Sequence, residues 1–119
     1  MATYNVTNGH PLVQWDYDLS KNPSVDRIEV GIFLDQALTQ LVSSSRVGSN
    51  YKQCTMACSD GFFFVSVRAV ISSKNITSDW GAPVAMIVSS ANPAPNPTPT
   101  PTPNPTGKPD APTNIRVSQ

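Results

Sequence analysis

The sequence predicts an all-β chain, an antiparallel β-sandwich of about seven short strands. Three observations predict it. Apolar residues recur with period two in several short runs, turn-forming clusters separate those runs, and none shows the 3.6-residue spacing of an amphipathic helix. Only three of the twelve prolines fall in residues 1–91, and the other nine lie between Pro93 and Pro112. The folded part is therefore about 90 residues, a usual size for one such sandwich with a single modest core.

The pattern opens at residues 12–17, with Val13 and Trp15 on one face and Gln14 and Asp16 on the other. Residues 18–24, which include Asn22 and Pro23, are expected to turn. Alternation resumes over 26–34, where Ile28, Val30, Ile32 and Leu34 share a side against Arg27, Glu29 and Gly31. Residues 38–42 are expected as a short edge strand, and 43–50, with three serines and Gly48, as a loop. A strand at 51–58 would place Cys54, Met56 and Cys58 on one face, and Ser59, Asp60 and Gly61 would then make a tight turn. Residues 62–71 alternate most strongly, with Phe63, Val65, Val67 and Ala69 on one face and Phe62, Phe64, Ser66 and Arg68 on the other. Residues 72–78 are polar loop, and Val84, Met86 and Val88 align on a closing strand. The expected core is Trp15, Ile28, Val30, Phe63, Val65, Val67 and Val84. Phe62 and Phe64 should face outward, either as a surface contact or beneath covering loops or the flanking 72–78 segment.

Several local motifs resemble those of the fibronectin type III family. An early strand carries its tryptophan in Leu12-Val13-Gln14-Trp15-Asp16, and the next strand begins at Ile28 with Glu29 and Val30 after it. The run Phe63 to Val70 is similar to the family's Tyr-x-Val-x-Val-x-Ala-Val sixth strand. Ser78 to Val84 is similar to its Ser-x-Trp-Ser-x-Pro lead-in to the last strand. The motifs stand in order over residues 12–88. They imply an immunoglobulin-like fibronectin type III sandwich, used for adhesion, spacing and protein contacts without intrinsic catalysis. One residue departs from the pattern: Phe63 stands where the family usually has a tyrosine, whose hydroxyl often holds a corner of the fold.

Eight basic and eight acidic side chains balance without clustering, which argues against a nucleic-acid partner. No stretch approaches the roughly 20 apolar residues of a membrane-spanning helix. The start, Met1-Ala2-Thr3-Tyr4, lacks the pattern of a secretory signal; a removed signal, release of a virion by lysis, or an unconventional route would each fit an extracellular or virion surface. Cys54 and Cys58 would lie about 13 Å apart on a regular strand, so they read as core residues or, if the chain turns between them, as a local disulfide. A lone Cys-x₃-Cys with His10 as the only histidine does not make a metal site. Asp16, Asp18, Asp26 and Asp35 read as solvated positions, and Asn5 and Asn75 as glycosylation acceptors in a host that uses them. No catalytic constellation, metal or cofactor is expected.

Residues 92–108 alternate proline with threonine or asparagine, a composition expected to form an extended tether rather than a core. Residues 109–119 then resemble a fibronectin type III first strand, Pro-x-x-Pro-x-Asn-Leu-x-Val, with Pro112, Ile115 and Val117 as its interface residues. The N-terminal residues lack any such proline-led strand. The terminal strand is therefore expected to complete the sandwich, in its own chain or a neighbour, unless it opens a second module. The leading expectation is a non-catalytic structural or assembly module, a fibre or virion-appendage subunit self-associating head to tail. The alternative is an accessory carbohydrate- or surface-binding module tethered to a secreted enzyme.

Overall fold

The computed structural model describes residues 1–89 and 109–118; the expectation of an extended tether at 92–108 falls outside the described residues. In chain order the strands are β1 (Thr3–Val6), β2 (Leu12–Asp16), β3 (Arg27–Phe33), β4 (Leu41–Gly48), β5 (Gln53–Thr55), β6 (Gly61–Ile71), β7 (Ile76–Thr77), β8 (Val84–Val88) and β9 (Thr113–Ser118). A single 3-10 turn, Ser72–Lys74, is the only helical element among the described residues.

Two sheets result. The larger runs β1-β8-β6-β3-β4, with β7 added beside β6, and it is antiparallel except where β1 runs parallel to β8. The smaller is antiparallel throughout, β5-β2-β9. Alternation decides what each sheet buries. Ile28, Val30 and Ile32 of β3 pair with Ala69, Val67 and Val65 of β6, and all six side chains enter one cluster. Val13 and Trp15 of β2 and Ile115 and Val117 of β9 enter the same cluster from the other sheet. The chain is thus all-β, with two sheets closed on a shared core. Trp15, Ile28, Val30, Phe63, Val65, Val67 and Val84 all lie in that core, none more than 8% exposed.

Several boundaries differ from the sequence expectation, which had about seven strands where the described residues form nine. The edge strand is Leu41–Gly48, so the serine-rich stretch expected as a loop is strand and residues 38–40 are not. It pairs along β3 from Arg27↔Gly48 to Phe33↔Leu41, and its polar side chains suit an edge wetted on both faces. The strand expected at 51–58 is reduced to Gln53–Thr55. The polar stretch 72–78 contains the 3-10 turn and β7, and the N-terminus supplies β1. Leu34, expected on the inner face, is 54% exposed, because β3 ends at Phe33 with an irregularity against β4.

Candidate functional site

The site follows from β9 and the groove that receives it. β9 lies antiparallel to β2, with Ser118 opposite Leu12, Val117 opposite Val13 and Arg116 opposite Gln14. The register then slips, and Thr113 faces Asp16. The extra residue falls on β9, where Asn114 takes φ 51°, a left-handed conformation that asparagine tolerates better than most side chains. That bulge keeps Ile115 and Val117 aimed inward, 6% and 4% exposed. Burying each contributes about 1.5–3 kcal/mol. Pro112 is fully buried just before the strand, and Ala111 is 7% exposed. Of the three residues expected at the interface, Ile115 and Val117 enter the core cluster from the strand paired with β2, and Pro112 is buried with its carbonyl oxygen facing Gly81.

The receiving floor is Gly81. Its N–H donates to the Val67 carbonyl at 2.9 Å, and its carbonyl accepts from the Ser66 hydroxyl at 2.6 Å. Ser78 ties the preceding residues to the same strand, its N–H donating to the Ala69 carbonyl and its hydroxyl accepting from the Ala69 N–H. These bonds press residues 78–81 flat along β6. A Cβ on Gly81 would meet the Pro112 carbonyl oxygen at 2.6 Å, so only a glycine lets the terminal segment lie this close.

Polar contacts fix the ends of the docked segment. The Asn22 amide donates to Asp110 Oδ2 at 3.1 Å, and the Asp110 N–H donates back to Asn22 Oδ1 at 3.1 Å. Asn114 Nδ2 donates to Asp16 Oδ2 at 3.0 Å, and Arg116 Nη1 lies 3.5 Å from Asp16 Oδ1. The Asn114 hydrogen bond, with the charge of Arg116 adding to it, holds the Asp16 carboxyl below its ordinary pKa. Tyr17 is buried beside this clamp, and loss of solvation, with the Asp110 charge adding to it, pushes its phenol up to about 12. Asp16, Tyr17, Asp18, Lys21, Asn22 and Asp110 line a cleft of about 270 Å³ there.

The outer face of the larger sheet is not the bare aromatic surface that Phe62 and Phe64 could have formed. Phe64 is 6% exposed, packed with Phe33 and Ala85, and Phe62 is half-buried against the same cluster. Leu38 and Trp80 complete the cover, so the covering residues come from the 34–40 and 78–81 segments rather than from 72–78. Trp80 meets Phe33 edge to face with ring centroids 4.9 Å apart, and the Arg68 guanidinium lies 4.4 Å from its ring centroid. Gly31 makes room for that ring: a Cβ there would stand 2.9 Å from Trp80 Cη2. Beside it, Glu29 is 7% exposed and paired with Arg68 at 2.5 Å and Arg46 at 3.4 Å.

The remaining candidates do not converge. Cys54 and Cys58 are free thiols, half-buried against the core, and burial pushes the Cys58 thiol up. His10 is exposed, with ring Nδ1 at 2.9 Å from the Asn8 carbonyl oxygen. Asp18, Asp26 and Asp35 are held below the ordinary carboxylate range, Asp18 chiefly by the Ser20 hydroxyl, Asp26 by the Ser72 N–H and Asp35 by the Thr39 hydroxyl. Asp18 and Asp35 each hold a local loop, and Asp26 ties the start of β3 to the turn that follows β6. Among the described residues no group of three or more His, Cys, Asp or Glu side chains is placed to hold a metal, and no helix is long and apolar enough to cross a membrane. Sequence reasoning did not single out Gly81, Asn22 or Asn114 for the site, although Gly81 and Asn114 each lie within a run quoted above for its resemblance, 78–84 and 109–119. Compared with family models, curated proteins and solved structures, the chain gives no match.

Proposed function

We propose that the chain is a non-catalytic structural module of the fibronectin type III kind, displayed on an extracellular or virion surface and joined into an assembly through its C-terminal strand. The observation that carries this reading is the docking of β9, whose Ile115 and Val117 enter the same core as Trp15 and Val67. In that reading β9 takes the place of the family's first strand, and the proline-rich segment before it is a spacer. An edge strand added to a groove supplies both apolar burial and ladder hydrogen bonds, the ordinary physics of strand-mediated assembly.

A second reading, an accessory carbohydrate-binding module, draws on the cleft of about 150 Å³ lined by Ala37, Leu38, Asp79 and Trp80. Trp80 is a poor platform for a sugar, because Arg68 and Phe33 already engage its ring. The two readings separate on the full chain. Ile115→Asp should lower the unfolding midpoint sharply, and the wild-type chain should not be retained on cellulose, chitin or starch. Retention on a polysaccharide, with Ile115→Asp as stable as wild type, would overturn the structural reading in favour of the second.

A further inference from the structure

The partner that supplies the strand can be read from strand direction. β8 begins just after Gly81 and ends with Val88 opposite Gly61, and the Ser89 N–H then donates to the Val6 carbonyl. The chain thus leaves the module at the Gly61 end of β6. β9 starts at the other end. Pro109 lines a cleft with Ile71, Lys74 and Ile76, and the Pro112 carbonyl oxygen faces Gly81. β9 finishes with Ser118 opposite Leu12, and the bonds from the Met56 and Cys58 N–H groups to the Pro11 and Gly9 carbonyls hold that stretch near the Gly61 end. β8 and β9 therefore run in the same direction, and the exit and the re-entry lie at opposite ends of an eleven-residue strand. That strand is about 33 Å long at 3.3 Å per residue.

Within one chain, residues 90–108 must retrace that length. Every position from 92 to 105 is a proline or precedes one. Proline fixes its own φ, and the residue before a proline is pushed to extended conformations, so reversing direction is costly in a sequence of this composition. Because β8 and β9 run the same way, joining the exit to the re-entry within one chain takes two reversals of direction. A path that leaves the Gly61 end and carries straight on needs neither reversal.

We propose that the partner is a second copy of this chain: the strand 113–118 leaving one module docks in the β2 groove of the next, with the contacts described for β9. The inference rests on the structural reading above. Exchanging an identical element costs no native contact and removes the reversal, and the head-to-tail interface it creates is heterologous, so it propagates into open chains or rings. Each copy offers one groove, floored by Gly81 and clamped by Asn22 and Asp16, and one strand.

Light scattering on the full chain over a wide concentration range, read together with amide exchange, tests this. The expected result is a mass rising with concentration in multiples of the 12.8 kDa chain, with protected amides in 113–118. Replacing residues 92–105 by Gly and Ser at equal length should shift the population toward monomer at a given concentration. Ile115→Asp with Val117→Asp should abolish the multiples. A monomer at every concentration with amides 113–118 protected would overturn the second-copy proposal and leave the structural reading standing. Amides 113–118 exchanging like a free peptide would overturn both. Multiples that persist in the Asp variant, or that are indifferent to the Gly/Ser replacement, would also overturn the proposal.

Discussion

Gly81 and the carbonyl oxygen of Pro112 approach so closely that a methyl group on residue 81 would stand 2.6 Å from that oxygen. The oxygen is backbone, so it cannot swing aside as a side-chain tip would. Gly81→Ala should therefore cost about 1–3 kcal/mol through overpacking. The loss should appear as a lower urea midpoint together with faster exchange at 113–118. An Ala variant with the wild-type midpoint would mean the terminal segment does not lie on this floor.

Val67→Ala and Ile115→Ala probe the same core from its two sheets. Val67 is fully buried and Ile115 is 6% exposed within one cluster. Val67→Ala should cost about 1–3 kcal/mol, and Ile115→Ala about 2–4 kcal/mol because more methylene volume is lost. Chemical denaturation measures both. A neutral Ile115→Ala beside a costly Val67→Ala would show a core that closes without β9.

The alternation that placed Val67 and Trp15 in the core was legible because those strands bury one face in a dry interior. It failed where burial is partial or comes from outside the strand. β4 carries Ser43, Ser44 and Ser45 and is wetted on both faces, so it reads as a loop; its strand character comes from the backbone of β3, which needs a partner. In β1 only Val6 is fully buried, too little for a pattern. Period two puts Phe62 and Phe64 on the outer face, but it carries no information about Trp80 and Leu38 folding over that face. At the site, the apolar residues of β9 were legible as a strand motif. Gly81 and Asn22 were not, because each matters only through a segment about 30 or 90 residues away along the chain.

Glu29 lies between Arg46 and Arg68 on the covered outer face, with side-chain exposures of 9%, 49% and 27% in that order. Glu29→Gln leaves two cations without their counter-charge in a half-dry setting. The cost should fall between that of a surface and a buried pair, about 1–3 kcal/mol. A double-mutant cycle with Arg68→Met should recover part of it as coupling. Zero coupling would mean that the pair contributes nothing net.

Acid should loosen the terminal strand before the core. Asp16 is held below its ordinary pKa of 3.8 by the Asn114 amide, with Arg116 adding to it. A carboxyl whose folded pKa is lowered stabilises the fold above its unfolded pKa, and that contribution is lost as pH falls through the folded value. Exchange at 113–118 should therefore accelerate below about pH 4 by more than exchange at 63–69 does. Asp16→Asn should flatten this difference, and an unchanged difference in that variant would remove Asp16 as its source.

The most direct measurement is hydrogen exchange of the full chain at neutral pH, read residue by residue over 113–118 with β6 as internal reference. If β9 completes the fold, those of its amides that face β2 should be protected by orders of magnitude over a free peptide, and protection should fall in Gly81→Ala. Amides throughout 113–118 that exchange at free-peptide rates, while 63–69 remain protected, would contradict it: the two sheets would then close without the terminal strand.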